Sequence, residues 1–282
     1  MTLNNNFSRV DKFVEQFERK IKNPKNKGFK ELYTGIDLGT ACITVSVLDE
    51  KRKPVAGFLK WDNVVRDGMV VDYIGAVDSL KEIKENLEKR IGAELVYASC
   101  AIPPGTENLD NGVIKNVIES SGFINADTFD EPTAANALLQ IQNGAIVDIG
   151  GGTTGISVIK NSEVVYISDE ATGGIHFSLV IAGALKKNYD EAELMKRDYK
   201  NHDKLRPIVK PVIDKISTII GDHIAGKNVD EIYLVGGSCC FSGIEKMIEE
   251  NLGIKTVKPY NPLFITPLGI ALGSSISTKI EG

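Results

Sequence analysis

Gly35-Ile36-Asp37-Leu38-Gly39-Thr40 and Val147-Asp148-Ile149-Gly150-Gly151-Gly152-Thr153-Thr154 are two versions of one pattern. Each places an aspartate near the end of an apolar run that reads as a strand. Each then turns on glycine, presents a threonine, and continues into two further strand-like segments. These are Cys42–Leu48 and Pro54–Leu59 in the first copy, and Gly155–Ile159 and Val164–Ile167 in the second. A glycine turn alone says little, because glycine is the default wherever a hairpin needs positive φ. A carboxylate inside Ile-Asp-Leu or Val-Asp-Ile is more telling, because burying it without a partner is expensive. Two of them face to face would repel unless a cation lay between. Mg²⁺ suits that position, since it takes oxygen ligands, keeps several waters and bridges carboxylates to phosphates. The glycine turns expose N–H groups able to cradle phosphate oxygens, and the Thr40 and Thr153 hydroxyls can donate to the same oxygens. No GxxxxGK[ST] loop is present, so the expected cradle is a pair of hairpins.

The repetition predicts a duplicated α/β domain with copies beginning near Leu32 and Ala145. The boundaries read as 31–142 for the first domain and 143–266 for the second, with a C-terminal helix at 267–280 packing back on the first. Residues 1–30 stand apart: Val10, Phe13, Val14, Phe17 and Ile21 share one face of a short helix, and Lys22–Gly28 reads as a linker. That face is expected either to dock on the body or to seat in a partner's groove. Ile74, Val77, Leu80, Ile83, Leu87 and Ile91 keep helical spacing up to Gly92. Pro103-Pro104-Gly105 marks a turn after a strand at Leu95–Ala101, and helices follow at about 111–121 and from Pro132. In the second half, helices are predicted at about 174–187, 190–199, 205–225, 241–251 and 267–278, with Pro207 and Pro211 unsettling the start of the third. A strand at Glu231–Val235 runs into Gly236-Gly237-Ser238. Strands alternating with helices imply largely parallel pairing, with antiparallel hairpins beside each aspartate.

Bulk properties narrow the class. Of 282 residues, 42% are apolar and 25% charged, the balance of a globular chain. A net charge of −5 argues against nucleic acid as the main partner. No apolar run approaches the roughly 20 residues that span a bilayer, and the polar first 30 residues carry no signal-peptide pattern. Cys42, Cys100, Cys239 and Cys240 fit reduced thiols in a cytoplasmic protein. The three histidines share no ligand spacing, so no zinc site is expected.

The motifs together resemble the superfamily of actin, Hsp70 and the sugar kinases. Ile36–Thr40 resembles its first phosphate motif and Asp148–Thr154 its second. Asp130-Glu131-Pro132-Thr133-Ala134-Ala135 is similar to the Hsp70 connecting motif, Leu234-Val235-Gly236-Gly237-Ser238 to the adenosine motif, and Pro267-Leu268-Gly269-Ile270-Ala271-Leu272-Gly273 to the second connecting helix. The five occur in the family order across residues 35–273. The resemblance implies two ribonuclease-H-like (actin-like ATPase) domains with a nucleotide cleft between them, taking ATP/ADP and Mg²⁺. By the same resemblance, Asp37 and Asp148 hold hydrated Mg²⁺, and Glu131 positions the water that attacks the γ-phosphate. Gly39, Thr40, Gly150, Gly151, Gly152, Thr153 and Thr154 meet the phosphates. Gly173 and Gly174 turn beside the nucleotide, Gly236, Gly237 and Ser238 approach the nucleoside, and Glu193 and Lys196 reach the ribose and adenine. Without the resemblance, Glu131 reads as an acid favoured at a helix N-terminus, and Glu193 with Lys196 as a solvated i,i+3 pair.

A narrower resemblance, to ethanolamine-utilisation members of this superfamily, rests on four blocks. They are Asn63-Val64-Val65-Arg66-Asp67-Gly68-Met69-Val70, Asp169-Glu170-Ala171-Thr172-Gly173-Gly174, Val209-Lys210-Pro211-Val212 and Gly236-Gly237-Ser238-Cys239. It implies a chaperone-like accessory of ethanolamine catabolism, located in the cytoplasm and at a bacterial microcompartment, with shell or pathway enzymes reached through the N-terminal helix. The catalytic-lysine motif of Hsp70 is not found, which implies slow hydrolysis. The likeness stops at residue 273, so no Hsp70 client cycle is expected. Two other functions are carried by the same fold: a nucleotide-dependent actin-like scaffold, and a small-molecule kinase. The kinase needs a base and a sugar-sized pocket for which no motif is evident.

Overall fold

The computed structural model describes residues 7–66, 69–102 and 111–280. Asp67-Gly68 of the linking block and the Pro103-Pro104-Gly105 turn lie outside the described residues. In chain order the elements are α1 (Ser8–Lys22), β1 (Glu31–Leu38), β2 (Cys42–Asp49), β3 (Pro54–Trp61), β4 (Val65–Arg66), β5 (Met69–Val70), α2 (Tyr73–Ile91), β6 (Tyr97–Ile102), α3 (Asn111–Ser120), β7 (Ile124–Asp130) and α4 (Glu131–Leu139). They continue with β8 (Gly144–Ile149), β9 (Thr154–Lys160), β10 (Glu163–Glu170), α5 (Gly174–Leu185), α6 (Tyr189–Arg197), α7 (His202–Ile224), β11 (Glu231–Val235), α8 (Ile244–Leu252), β12 (Lys255–Val257), α9 (Ile265–Gly273) and β13 (Thr278–Lys279).

Two sheets carry the same strand order. The first runs β3-β2-β1-β6-β7, with β13 added beside β1, and the second runs β10-β9-β8-β11-β12. In each, the aspartate-bearing strand sits centrally, antiparallel to the hairpin that follows it and parallel to the next strand on its other side. β2 is buried along its whole length: Ile43, Val45 and Val47 enter the core of the first lobe, and Thr44 and Ser46, which alternate with them, are covered as well. The first sheet packs on α2 through Leu80, Ile83 and Leu87 and on α3 through Val117. The second packs on Phe177 of α5 and on Val209, Ile213, Ile216 and Ile220 of α7.

A third core lies between the lobes, where α4 and α9 cross and α1 rests against both. The crossing is tight at Gly269, where a Cβ would collide with the Ala134 carbonyl, so no larger residue fits there. The face of α1 predicted from its spacing is docked on the body: Val10, Val14 and Phe17 are fully buried, and Phe17 packs edge-on against Phe264.

Three local predictions are corrected. α7 runs unbroken from His202 because Pro207 and Pro211 both lie on its exposed face, where water can serve the carbonyls they leave unpaired. The C-terminal helix stops at Gly273 instead of 278–280. Ser275 donates both its N–H and its hydroxyl to Asp127, and Thr278–Lys279 pairs antiparallel with β1. In α2, Ile74 is exposed and burial begins at Ala76 and Val77. Among the described residues, no helix is long and apolar enough to cross a membrane.

Candidate functional site

β1 and β8 end at a common cleft, and each delivers one aspartate to it. A cavity of about 520 Å³ opens there, lined from both lobes, well within the size of small-ligand clefts. The two glycine turns nearly touch across it: a Cβ placed on Gly151 would lie 3.0 Å from the Ala41 Cβ and 3.4 Å from that of Thr40. A third carboxylate, Glu131, enters where β7 passes directly into α4. Asp130 caps that helix by accepting from Thr133 N–H at 2.8 Å, which leaves Glu131 as the first helical residue.

The three carboxyls are electrostatically frustrated as they stand. Burial, and then the charge of Asp148, pushes Asp37 up to about 7. Burial pushes Asp148 up to about 6, even though Thr266 Oγ1 donates to its Oδ2 at 2.9 Å. Glu131 is raised well above the usual carboxylate range, first by burial, then by Asp148, Asp37, Asp169 and Asp130. A mere helix N-terminal charge would be favoured by the dipole. Carboxyls raised by burial and by one another form an arrangement that a cation would relieve. The donor set of hard carboxylate oxygens suits Mg²⁺. Among the described residues, no three His, Cys, Asp or Glu side chains converge as a direct ligand set.

Gly39, Thr40, Gly150, Gly151, Gly152 and Thr153 all line the cavity. Gly150 N–H donates to Thr153 O at 2.9 Å and Gly39 N–H to Cys42 O at 3.1 Å, closing the two turns. Gly236, Gly237 and Ser238 line the opposite wall, and Gly236 holds φ +91 so that the backbone can pass Ile149 and Asp148. Ser238 Oγ donates to Gly150 O at 2.6 Å, fastening that wall to the second turn. Glu193 and Lys196 do form the i,i+3 pair, at 2.7 Å. It is not solvated, however. Both side chains are largely buried in the cavity wall, where Glu193 also accepts from Ser178 and Arg197 and Lys196 donates to Gly174 O at 2.9 Å.

Three expected contacts are not brought to the cavity. Thr154 faces the opposite side of β9 from the cleft and donates its hydroxyl to Thr172 O. Gly173 and Gly174 lie behind the second turn, with Gly174 N–H donating to Gly150 O at 3.0 Å, so they support the cradle from outside. Other residues enter the site without having been singled out. Thr266 orients Asp148, and Asp169, quoted above without a role, adds its charge beside Glu131. Phe241 stacks on His202 at 4.3 Å along the wall, and Trp61 meets Arg197 at the mouth. His202 is held neutral: burial lowers its pKa, Nδ1 accepts from Ser242 N–H, and Nε2 donates to Lys196 O.

Two lobes of equal strand order, each giving an aspartate and a glycine turn to one cleft, define an actin-like ATPase fold. MreB5 of Spiroplasma citri bound to ADP shares it with a TM-score of 0.69 at 19% identity, over 84% of this chain and 94% of that one. Residues 135–265 match the profile of the type IV pilus assembly protein PilM. Ethanolamine utilization protein EutJ of Salmonella typhimurium is 41% identical over 252 residues, covering 89% of this chain and 88% of that protein. The crystal structure of EutJ from Carboxydothermus hydrogenoformans superposes with a TM-score of 0.89 at 40% identity, over 95% of this chain and 99% of that one. The chain belongs to the EutJ family of ethanolamine utilization proteins.

Proposed function

We propose that the protein binds Mg-ATP in the interlobe cleft and hydrolyses it slowly, acting as a nucleotide-driven, chaperone-like accessory of ethanolamine utilisation in the cytoplasm. The observation that carries this reading is the set of three raised carboxyls beside two opposed glycine turns. Asp37 and Asp148 would hold the hydrated ion, which neutralises phosphate charge when bound. The N–H groups of Gly39 and of Gly150–Gly152, with the Thr40 and Thr153 hydroxyls, would orient the phosphates. Glu131 would hold and polarise a water in line with the terminal phosphate. Positioning and charge stabilisation are what phosphoryl transfer demands of a protein. The wall at Gly236–Ser238 and Phe241 would take the nucleoside. Glu193 and Lys196 would present their partly saturated heads to it.

Cleft closure on ATP and opening after hydrolysis would be the working motion, with partners at a microcompartment shell or among the pathway enzymes. The burial of Val10, Val14 and Phe17 means that a partner meeting seated α1 would touch its polar face. The test is phosphate release from Mg-ATP by wild type and Glu131→Ala, with thermal-shift traces on the same samples. A ligand at about 100 times its Kd adds roughly 2.7 kcal/mol. Stabilisation of both proteins with turnover lost only in Glu131→Ala is expected. Stabilisation without turnover in either would replace hydrolysis by a nucleotide-gated scaffold, and no stabilisation would refute nucleotide binding by the isolated chain.

A further inference from the structure

Two side chains from opposite lobes meet across the mouth of the cleft. The guanidinium of Arg197, in the last turn of α6, lies over the indole of Trp61, at the end of β3, 3.5 Å from the ring centroid. Each is one step from a phosphate turn. Trp61 pairs with Cys42 at the start of β2, and the next N–H, of Asp62, donates to Ala41 O at 3.3 Å. The indole is therefore carried by the first turn. On the other side, Arg197 Nε donates to Glu193 Oε1 at 2.9 Å, and Glu193 Oε2 accepts from Lys196 Nζ at 2.7 Å. Lys196 Nζ also donates to Gly174 O at 2.9 Å, and Gly174 N–H donates to Gly150 O at 3.0 Å. The guanidinium is therefore tied to the second turn. The pair stands between the main cavity and an outer hollow of about 280 Å³ and lines both.

We propose that Trp61 and Arg197 form a gate that sets how fast nucleotide enters and leaves, which rests on the nucleotide reading above. The contact joins protein to protein, so it stabilises the closed cleft whether or not a ligand is inside. Such a contact slows passage in both directions and leaves affinity nearly unchanged, because it does not discriminate the bound from the free state. A residue that instead touched the nucleotide would slow release alone. Each gate residue stands one step from a glycine turn, so a bound nucleotide changes the surroundings of the indole while the contact itself is kept.

Trp61 is the single tryptophan in the chain, so emission excited beyond tyrosine absorption reports on the gate alone. The indole is 45% exposed, where a cation–π contact is worth about 1 kcal/mol, or roughly fivefold in rate. The test is stopped-flow association and release of Mg²⁺ with N-methylanthraniloyl-ADP, exciting the label directly, on wild type, Trp61→Leu, Arg197→Ala and the double variant. Trp61→Leu breaks no ion pair, which separates the gate from the Arg197–Glu193 tether. Both rates are expected to rise about fivefold in each variant while Kd stays within about twofold. The double variant should be no faster than either single one, and binding should change the Trp61 emission of the wild type. Unchanged rates would overturn the gate. So would faster release with unchanged association and weaker binding, which would make these residues nucleotide contacts. If Mg-ADP gave the wild type no thermal shift, the nucleotide reading itself would fall and the gate with it.

Discussion

Replacing Asp37 with asparagine is expected to stabilise the nucleotide-free protein at pH 8. The carboxyl is pushed from 3.8 up to about 7 by burial and by Asp148. A carboxyl whose folded pKa lies above its unfolded one favours the folded state only while it is protonated. Its effect is neutral below the unfolded value. The penalty then grows as pH rises from about 4 to about 7, and it is fully present above. A shift of about 3 units at roughly 1.36 kcal/mol each amounts to about 4 kcal/mol. The cleft is open to water on one side, and discounting by half for that screening leaves about 2 kcal/mol. Asparagine keeps the shape and one carbonyl oxygen but carries no charge. In urea melts with EDTA, Asp37→Asn should therefore be about 2 kcal/mol more stable than wild type at pH 8 and nearly equal to it at pH 4. At roughly 2–4 °C per kcal/mol, the corresponding rise in Tm is about 4–8 °C. Mg-ATP should reverse the order, stabilising wild type and leaving Asp37→Asn where it was. An Asp37→Asn protein less stable than wild type at pH 8 without metal would refute the reasoning, because the carboxylate would then have a structural partner and no need of an ion.

Thr266→Val should weaken the Mg²⁺ dependence of nucleotide stabilisation about tenfold, because a hydrogen bond to a charged acceptor is worth roughly 1.5–3 kcal/mol. Thr266→Ser should restore it, and an unchanged Mg²⁺ titration would remove Thr266 from the site. Phe17→Ala should cost about 3–5 kcal/mol in urea melts, as for a large aromatic cut from a closed core. A loss under about 1 kcal/mol would show that the seat of α1 contributes little, and that the helix is free to leave for a partner.

The residues legible in the sequence were those whose chemistry contradicts their surroundings. Asp37 and Asp148 stand out because a carboxylate on an apolar strand demands a reason, and the repeated turn supplied it. The face of α1 was legible because apolar spacing survives in any context. Trp61–Arg197 and Thr266–Asp148 left no such mark, since each joins elements more than a hundred residues apart and neither residue type is unusual where it stands. Thr154 shows the limit of a motif: the sequence names a hydroxyl, but only the packing of β9 reveals that it donates to Thr172 O. The overlong C-terminal helix has a related cause: Ser274 and Ser275 permit helix locally, but Asp127, far away in sequence, accepts from the Ser275 N–H and hydroxyl. Pro207 and Pro211 show the converse. A local veto lapses where both rings face solvent and the opposite face of α7 carries Val209, Val212 and Ile213 into a core.

The same long-range logic explains why α9 is built from small and apolar residues. It touches the elements that bring Asp37, Asp148 and Glu131 to the cleft. Its backbone at Pro267 and Ala271 closes on Gly35 of β1, beside Asp37. Gly269 lies under the Ala134 carbonyl of α4, whose first residue is Glu131, and Thr266 holds Asp148 directly. Two close backbone approaches and one hydrogen bond leave this helix little freedom to shift without moving at least one carboxyl. Rotation of one lobe against the other must therefore alter the spacing of Asp37, Asp148 and Glu131. Conversely, an ion that fixes that spacing must resist the rotation. On the function proposed above, the spacing of these carboxyls and the lobe angle would be one mechanical variable. That is the property a nucleotide switch requires, and it follows from Gly35, Gly269 and Thr266 more than from the phosphate turns themselves.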